Sequence, residues 1–492
     1  MYTFSSRLKT FSIVLMVLGI LGIGYGFLMA PKTTADVEAI LEKEAAAHHE
    51  GHAVAEAHHT TSAAHTETTH HETTDATMAD DVHIDTIAIS NTADTHHDTD
   101  HATTHQTASH GGHDAHADHE KHLKHVLHQL SNKPWAALYV ACIFMMLISL
   151  GVLAFYAIQQ VSQAGWSPVL FRVMQGITAY LPWGSLIFFV LLVLCGMHVN
   201  HLFVWMAEGV NVVGHENYDH LIAGKSGYLN VPFWLIRAAI FLIGWNLYRY
   251  FSRKNCLLQD DANDNLYYKK NFKMSAGFLV FFIVTESIMS WDWIMSVDPH
   301  WFSTLFGWYV FASFFVSGVT VIALITVYLK SRGYLEYVNT SHVHDLAKFM
   351  FGLSVFWTYL WFSQFMLIWY SNIPEEVTYF ITRIENYNLP FFGMIVMNFV
   401  FPILILLNTD FKRLTWIIVM AGFVILAGHY IDFFNMIMPA TVGDRWFIGI
   451  PEIGSLLFFI GLFIMVVFTA LTKSPLLPKR NPLIEESKHF HY

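Results

Sequence analysis

Ten apolar stretches, each long enough to cross a membrane, constrain this chain of 492 residues more than any other feature. A membrane-spanning helix needs about 20 mostly apolar residues. Only 13% of the residues are charged, which is about half the share found in soluble domains. We therefore expect an all-α polytopic membrane protein with ten transmembrane helices. The stretches are Phe11–Ala30, Pro134–Ile158, Pro182–Met206, Val231–Phe251, Lys273–Trp293, Ser303–Leu329, Leu346–Tyr370, Pro390–Asn408, Arg413–Phe434 and Pro451–Leu471.

The first stretch resembles a secretory signal peptide because Arg7 and Lys9 precede it. Its apolar run of about 20 residues is too long for the hydrophobic region of such a peptide, and Leu28-Met29-Ala30 does not form the small-x-small cleavage pattern. We expect residues 1–30 to be a retained transmembrane anchor.

Lysine and arginine are distributed unevenly between the two sides that ten helices create. If both termini are cytoplasmic, 18 of the 27 Lys and Arg residues lie on that side. The short loops of the other side hold only Lys225, Arg383 and Arg445. This is the positive-inside pattern. It predicts cytoplasmic termini in a bacterial inner membrane and a periplasmic location for residues 31–133.

Residues 31–133 form an insert that holds 20 of the 30 histidines and has 18 acidic residues against 5 lysines. Such a segment cannot bury an apolar core, so we expect it to be largely disordered. Near its end, histidine recurs at every third position, and a helix there would carry an imidazole stripe able to bind Zn²⁺, Cu²⁺ or Ni²⁺ weakly. The alternative is that this segment is a solvated tether without a metal site. Nothing in the sequence indicates nucleic-acid binding. The weak metal candidates are His113, His116, His119, His122, His125 and His128.

Ionisable side chains inside spanning helices are costly and are functional candidates by default. The predicted spans place seven of them in the periplasmic half of the membrane and none in the other half. This favours a quinol-oxidising or proton-releasing site that opens outward, since transporters bind near the midplane. The alternative is that Arg237 and Glu286 form an ion pair with a purely structural role. The quinone-contact or proton-transfer candidates are His198, His201, Arg237, Glu286, Asp292, His429 and Asp432.

Cofactor chemistry within the chain is limited by its histidines and cysteines. His198 and His201 are three residues apart and would share a helix face. Ligation of two haems needs four histidines on two helices, and His429 is the only other histidine inside a predicted span. The three cysteines are widely separated, which argues against an Fe–S site or covalent haem. Asp292, between two tryptophans, is expected to accept a proton or a hydrogen bond from a quinol hydroxyl group.

Several motifs together resemble alternative complex III, a bacterial quinol:cytochrome c (or quinol:oxidase) oxidoreductase. The similarity covers about residues 134–477 and is closest to the second NrfD/PsrC-like integral subunit. The motifs are Trp291-Asp292-Trp293, Asp298-Pro299-His300-Trp301-Phe302, His344-Asp345-Leu346-Ala347-Lys348, Phe356-Trp357, Trp369-Tyr370, Ile373-Pro374-Glu375-Glu376, and Lys225-Ser226-Gly227-Tyr228-Leu229-Asn230 with Arg237.

The resemblance implies two four-helix bundles, residues 134–293 and 294–434, followed by a last helix and cytoplasmic tail in 435–492. It implies a subunit without a redox cofactor, with menaquinol or another quinone and lipids as ligands, and with haem and Fe–S clusters in partner subunits only. The implied partners are a sister NrfD-like membrane subunit, a periplasmic Fe–S subunit, c-type cytochrome subunits and a terminal oxidase. Asp298, His300, Glu375 and Glu376 are candidates for the subunit interface.

Two other functions remain open at this point. One is an ion or small-solute transporter with a metal-binding His-rich loop, and the other is a purely structural docking subunit. Whether the chain catalyses a reaction in isolation is also open.

Overall fold

The computed structural model describes residues 2–43 and 111–491, and within them the side chains of residues 111–118 are not described. Every regular element of this part of the chain is helical. The helices are α1 (Ser6–Met29), α2 (residues 34–43), α3 (Gly111–Val161), α4 (Phe171–Ile177), α5 (Leu181–Gly196), α6 (His220–Lys225), α7 (Val231–Gln259), α8 (Leu266–Trp293), α9 (Phe306–Ser331), α10 (Thr340–Ser371), α11 (Pro374–Asn386), α12 (Asn388–Ile395), α13 (Phe401–Leu406), α14 (Thr415–Val442), α15 (Ile450–Leu471) and α16 (Ile484–Lys488).

Ten helices or helical runs in the described residues are long and apolar enough to cross a membrane, which confirms the expected number. Two of these runs contain breaks. A 3₁₀ turn at Thr178–Tyr180 joins α4 to α5, and a π-helical segment at Val396–Val400 joins α12 to α13.

Two spans differ from the sequence prediction in ways that move candidate residues. The third covers Pro168–Gly196 instead of Pro182–Met206. Pro182 occupies the first turn of α5, where a missing N–H costs nothing, and α4 extends the run before it. The ninth span continues to Val442 through Pro439, eight residues beyond the predicted end at Phe434.

Both chain termini lie on one face of the helical assembly, which we call the termini face. There the hydroxyl oxygens of Thr3 and Tyr334 are 2.8 Å apart, and Ser487 donates a hydrogen bond of 2.7 Å to the Trp166 carbonyl oxygen. The opposite face, which we call the loop face, carries the longer connections, residues 197–230, 294–305, 372–387 and 443–449.

The apolar part of α3, from Pro134 onward, and α9 form the centre of the assembly and are buried on nearly all sides. Small residues let these two helices approach each other: a Cβ added to Gly318 would lie 2.9 Å from the backbone of Val152. Close backbone contact is a common way for membrane helices to associate, because apolar side chains gain little over lipid there.

α1 packs along α15 at the edge of the assembly through glycine. A Cβ added to Gly454 would lie 2.8 Å from the Cα of Gly22, and one added to Gly19 would lie 2.4 Å from the backbone of Phe458. The first helix is therefore fitted closely to the last spanning helix.

The described residues 32–43 and 111–127 belong to a separate unit of the chain. In α2, the carboxylate of Asp36 accepts hydrogen bonds of 3.0 Å from the backbone N–H groups of Lys32 and Thr33. These N–H groups hold the pKa of Asp36 below its usual value. The predicted disorder of the insert falls mainly on residues 44–110, outside the described residues.

Candidate functional site

The first buried polar cluster joins α7 to α8 through Arg237 and Asp292. Arg237 donates hydrogen bonds of 2.7 and 2.9 Å to the two oxygens of Asp292. The Asp292 side chain is fully buried, and Arg237 is 7% exposed. The guanidinium also lies over the rings of Tyr228 and Phe233, 4.0 and 4.2 Å from their centroids.

The backbone around Asp292 is fixed as well as its side chain. Trp234 and Ser296 donate hydrogen bonds of 2.8 and 2.6 Å to the Asp292 carbonyl oxygen. Each Asp292 carboxylate oxygen accepts a hydrogen bond from Arg237, and the two side chains form an ion pair. This cluster therefore clamps α7 to the end of α8.

Arg237 does not pair with Glu286, so that sequence alternative is wrong. Asp292 lies six residues after Glu286 on α8, which is about 240° around the helix, and only Asp292 faces Arg237. Glu286 is 1% exposed, and one of its oxygens accepts a hydrogen bond of 2.9 Å from Ser287. Its other oxygen has no hydrogen-bond partner among the described residues.

The second buried polar cluster surrounds Asp432 on α14. Its carboxylate accepts hydrogen bonds from the hydroxyl of Tyr309, from the hydroxyl of Ser313 at 2.8 Å, and from the indole N–H of Trp357 at 2.8 Å. Both Asp432 and the neighbouring His429 have zero exposure. Three donors from α9 and α10 therefore replace the water that this carboxylate would otherwise need.

His429 lies beside this carboxylate with one ring nitrogen engaged and one free. Its Nδ1 is 2.9 Å from the Ser313 oxygen and 3.7 Å from Asp432. Because Ser313 gives its single proton to Asp432, the Ser313 oxygen accepts from Nδ1–H. Nε2 is then the basic nitrogen, and no described residue hydrogen-bonds with it.

The break in the eighth span contributes to the same cluster. Asn398, the buried residue of the π-helical segment, places its amide nitrogen 3.4 Å from His429 Nδ1. A π-helical turn often marks a functional position in a membrane or soluble helix. Gly428 provides the room, since a Cβ there would lie 2.1 Å from the Asn398 side-chain oxygen.

A small cavity lies on the loop-face side of Tyr309. It measures about 10 Å³, close to the volume that one water molecule requires. Gln364, Arg383 and Asn435 supply its polar wall, and its other lining residues include Trp361 and Met394. Arg383 is held there by hydrogen bonds of 3.0 Å to the Asn435 carbonyl oxygen and 2.7 Å to the Tyr379 carbonyl oxygen.

The Asp432 cluster lies farther from the end of its helix than the predicted span implies. Because α14 extends to Val442, Asp432 lies ten residues, about 15 Å, before its end, and His429 is the fifteenth of its 28 residues. Glu286 and Asp292 are within about 10 Å of the end of α8. His429 therefore lies at the middle of α14, whereas Glu286 and Asp292 lie near the end of α8, and the placement of these groups relative to the membrane stays a prediction.

His198 and His201 are not on a helix, so their predicted shared helix face is wrong. α5 ends at Gly196, and His198 has a positive φ of 58°. The His201 backbone N–H donates to the side chain of Asn132 at 3.2 Å, and its carbonyl oxygen accepts from the same amide at 3.0 Å. Partial burial, with His128 and His198 nearby, lowers the pKa of His201.

The interface candidates Asp298 and His300 belong to a network that ties two loops together. His300 Nε2 is 2.6 Å from the Asp219 carboxylate, and Asp298 accepts a hydrogen bond of 3.3 Å from the His300 backbone. Asp219 also caps α6 by accepting from the backbone of Leu221 and Ile222. His300, with help from these N–H groups, holds the pKa of Asp219 below its usual value.

Glu375 and Glu376 lie in the first turn of α11. That position suits carboxylates because the N-terminus of a helix attracts negative charge. The Glu376 carbonyl oxygen accepts a hydrogen bond of 3.2 Å from Trp301, whose ring stacks on Tyr379 at 4.0 Å.

The histidine stripe has no preformed metal site in the part of the chain that is described. His113 and His116 lie where side chains are not described, and the other four imidazoles are exposed. His119 lies 3.9 Å from Glu38. No three His, Cys, Asp or Glu side chains in residues 2–43 and 119–491 are arranged to hold a metal ion.

Sequence reasoning missed several buried ionisable residues. The sequence analysis counted Arg383 as a loop charge. The strongly amphipathic pattern of α11 could have indicated that this helix has a buried face. Glu452 is 1% exposed and accepts a hydrogen bond of 2.9 Å from the Gly449 backbone, which caps the start of α15. Arg172, near the termini face, is 2% exposed.

A scan against protein-family models finds no match to this chain, and a search of the curated proteins finds none either.

Proposed function

We propose that this chain is a cofactor-free membrane subunit of a quinol-oxidising respiratory complex and that it transfers protons through the Asp432 cluster. Oxidation of a quinol releases two protons and two electrons. Haem and Fe–S clusters in partner subunits take the electrons, and this chain conducts protons toward the loop face. The motif resemblance to alternative complex III supports the assembly, its sister NrfD-like subunit and its Fe–S and cytochrome partners.

The proposed topology follows from the same resemblance and from the charge distribution. The spans of residues 134–293 and 294–434 would form two four-helix bundles. The face that carries the termini would be cytoplasmic, because most lysines and arginines lie on that side. The loop face and the His-rich insert would then be periplasmic.

The observation that carries the proposal is the continuous set of proton-transferring groups around Asp432. A proton taken up at His429 Nε2 allows Nδ1 to release its proton to Ser313, which is bonded to Asp432. Asp432 in turn contacts the Tyr309 hydroxyl, and Tyr309 lines the water-sized cavity at Arg383. The transfers from His429 Nδ1 to Ser313 and from Ser313 to Asp432 occur between hydrogen-bonded groups, as general acid–base chemistry requires.

The Arg237–Asp292 pair has a positioning role in this proposal. It holds α7 against the end of α8 on the loop face, where the resemblance places contacts with partner subunits. Glu286, with an unpartnered carboxylate oxygen, and the exposed loop residues His198 and His201 are then the remaining candidates for contact with quinone.

A pair of serine variants on α9 tests the relay. Ser313→Ala removes the group that joins His429 to Asp432, whereas Ser317→Ala, one turn away, removes a hydroxyl that donates only to the Ser313 carbonyl oxygen at 2.8 Å. We expect Ser313→Ala to lower quinol turnover of the intact complex by about 10²-fold and Ser317→Ala to leave it unchanged. Equal turnover in both variants would contradict the relay.

One observation favours the transporter as a second candidate. His429 lies mid-helix against the π-helical break of the eighth span, and transporters bind their substrates near the midplane at interrupted helices. The other break, at Thr178–Tyr180, is in the second helix of the first proposed bundle, whereas this one is in the third helix of the second. The two breaks are therefore not in corresponding positions. Ion uptake by the isolated chain in proteoliposomes, abolished by His429→Ala, would support the transporter over the respiratory subunit.

A further inference from the structure

Three arginines meet near the termini face with a single carboxylate between them. Arg172 donates to Asp260 at 2.5 Å, and this is the only ion pair that the three make among the described residues. Arg172 and Arg253 both contact Gln175, through its side-chain oxygen at 3.2 Å and its carbonyl oxygen at 3.4 Å respectively. Arg249 lies one turn from Arg253 on α7, so the cluster carries about two uncompensated positive charges.

Arg249 and Arg253 are poorly satisfied within the chain. Both are only partly exposed, yet Arg253 makes only two long hydrogen bonds of 3.4 Å, to the Gln175 carbonyl oxygen and to Ser474. No described residue forms a hydrogen bond or ion pair with Arg249, whose Nε is buried. A partly desolvated guanidinium without a partner is costly, and planar oxyanions are the groups that it binds best.

The position of the pair matches the level of lipid headgroups. Arg249 lies 18 residues, about 27 Å, from the start of α7 at Val231, and the hydrocarbon core is about 30 Å thick. The two guanidinium groups therefore lie at the membrane surface of the termini face. Phosphate groups of that leaflet are at the same depth.

Apolar surface adjoins the arginines on the side that faces lipid. Leu247, Tyr250 and Phe251 are exposed on α7, and Trp183 and Leu186 are exposed on α5. The two helices are joined at this level by a hydrogen bond of 3.0 Å from Asn246 to Ser185. A phosphate with acyl chains would find both a cationic site and a hydrophobic wall, whereas a free phosphate would use only the first.

We propose that Arg249 and Arg253 form a phosphate-binding site that holds the headgroup of an anionic phospholipid at the termini face. The bidentate fork of each guanidinium matches a phosphodiester, and charged lipids are attracted to such basic pockets between spanning helices. The site is separate from the proton-transfer cluster and does not depend on the function proposed for it.

The chain offers a matched control for a test of this site. Arg249→Gln with Arg253→Gln removes the two charges, whereas Lys254→Gln removes an exposed charge from the next position of the same helix. The readout is the melting temperature of the full chain in mild detergent after delipidation. A thiol-reactive dye reports unfolding because Cys142, Cys195 and Cys256 are free and buried.

We expect phosphatidylglycerol to raise the melting temperature of the unmodified chain and of Lys254→Gln by about 5 °C at saturating lipid, and phosphatidylcholine to leave it unchanged. The double variant should lose this shift and retain about tenfold less phosphatidylglycerol in native mass spectra. An unchanged shift and lipid retention in the double variant would overturn the proposal.

Two further arms keep the test decisive. If the double glutamine variant does not fold, Arg249→Lys with Arg253→Lys keeps the charge but not the fork, and it should still weaken lipid retention. Inorganic phosphate alone should give no shift at millimolar concentration. A shift of the same size with inorganic phosphate would overturn the assignment to a lipid headgroup.

Discussion

Replacing Asp292 by asparagine should unfold the loop-face end of α8 and should not simply slow a reaction. In the native pair, both Asp292 oxygens accept from Arg237, at 2.7 and 2.9 Å. Asparagine keeps one acceptor and turns an N–H group toward the guanidinium, so that donor faces donor. Arg237, only 7% exposed, then becomes a buried charge without a counterion.

The size of the effect follows from the burial of the pair. Removing one partner of a buried salt bridge costs about 3–5 kcal/mol, equivalent to a change of about 10² to 4 × 10³ in the ratio of folded to unfolded protein. The cation–π contacts of Arg237 with Tyr228 and Phe233 remain, and they favour the lower end of this range.

A double variant separates the loss of the pair from the loss of a carboxylate. Arg237→Met with Asp292→Leu removes both charges and fills similar volume, and such replacements are often neutral for stability. Thermal unfolding in detergent should show a large loss of stability for Asp292→Asn. The double variant should recover most of that stability. The intact complex should show quinol turnover in proportion to the folded protein.

The opposite pattern would refute this reasoning. If Asp292 accepts a proton from quinol, as its sequence context suggested, Asp292→Asn would fold with normal thermal stability and lose turnover. The double variant would then be stable and equally inactive.

Three further predictions test other parts of the structure. Asp432→Asn should lower quinol turnover of the intact complex by about 10²-fold in a steady-state oxidation assay. Tyr309→Phe should also lower quinol turnover. Unchanged rates in both variants would exclude the cluster from proton transfer. Gly454→Ala should destabilise the α1–α15 contact by about 1–3 kcal/mol, measured by thermal unfolding. The control Gly24→Ala, with nothing within 4 Å of its added Cβ, should not destabilise it. Equal melting temperatures for the two variants would contradict the packing. Asp219→Asn should lower the melting temperature at neutral pH. Because the pKa of Asp219 is lowered in the folded chain, the difference in melting temperature from the unmodified protein should persist down to about pH 4 and vanish as the pH falls further. A difference that is independent of pH would contradict an ionised Asp219.

The number of spans was predictable because membrane crossing depends on length and apolarity, which a sequence displays directly. The third span was misplaced because α4 and the following 3₁₀ turn contain Arg172, Gln175 and Thr178, polar residues that lower the hydropathy of a buried segment. Arg172 is paired with Asp260 at the end of α7, and Gln175 donates a hydrogen bond to Tyr156 of α3. A sequence window does not contain that information.

The candidate site was predictable in its residues and not in its pairings. Glu286, Asp292, His429 and Asp432 are conspicuous because charge is rare inside apolar spans. Which of them meet depends on helix rotation, so Arg237 was matched with Glu286 although Asp292 is its partner. Tyr309 was overlooked because a lone tyrosine in an aromatic helix has no distinctive pattern.

The most direct test of the central claim is gentle purification of this chain with its partners from native membranes, followed by haem spectra and quinol oxidation. The proposal predicts that haem-containing and Fe–S subunits co-purify with the chain and that the preparation oxidises quinol, with turnover lowered by Ser313→Ala and not by Ser317→Ala. A colourless polypeptide that purifies alone and oxidises no quinol would contradict it.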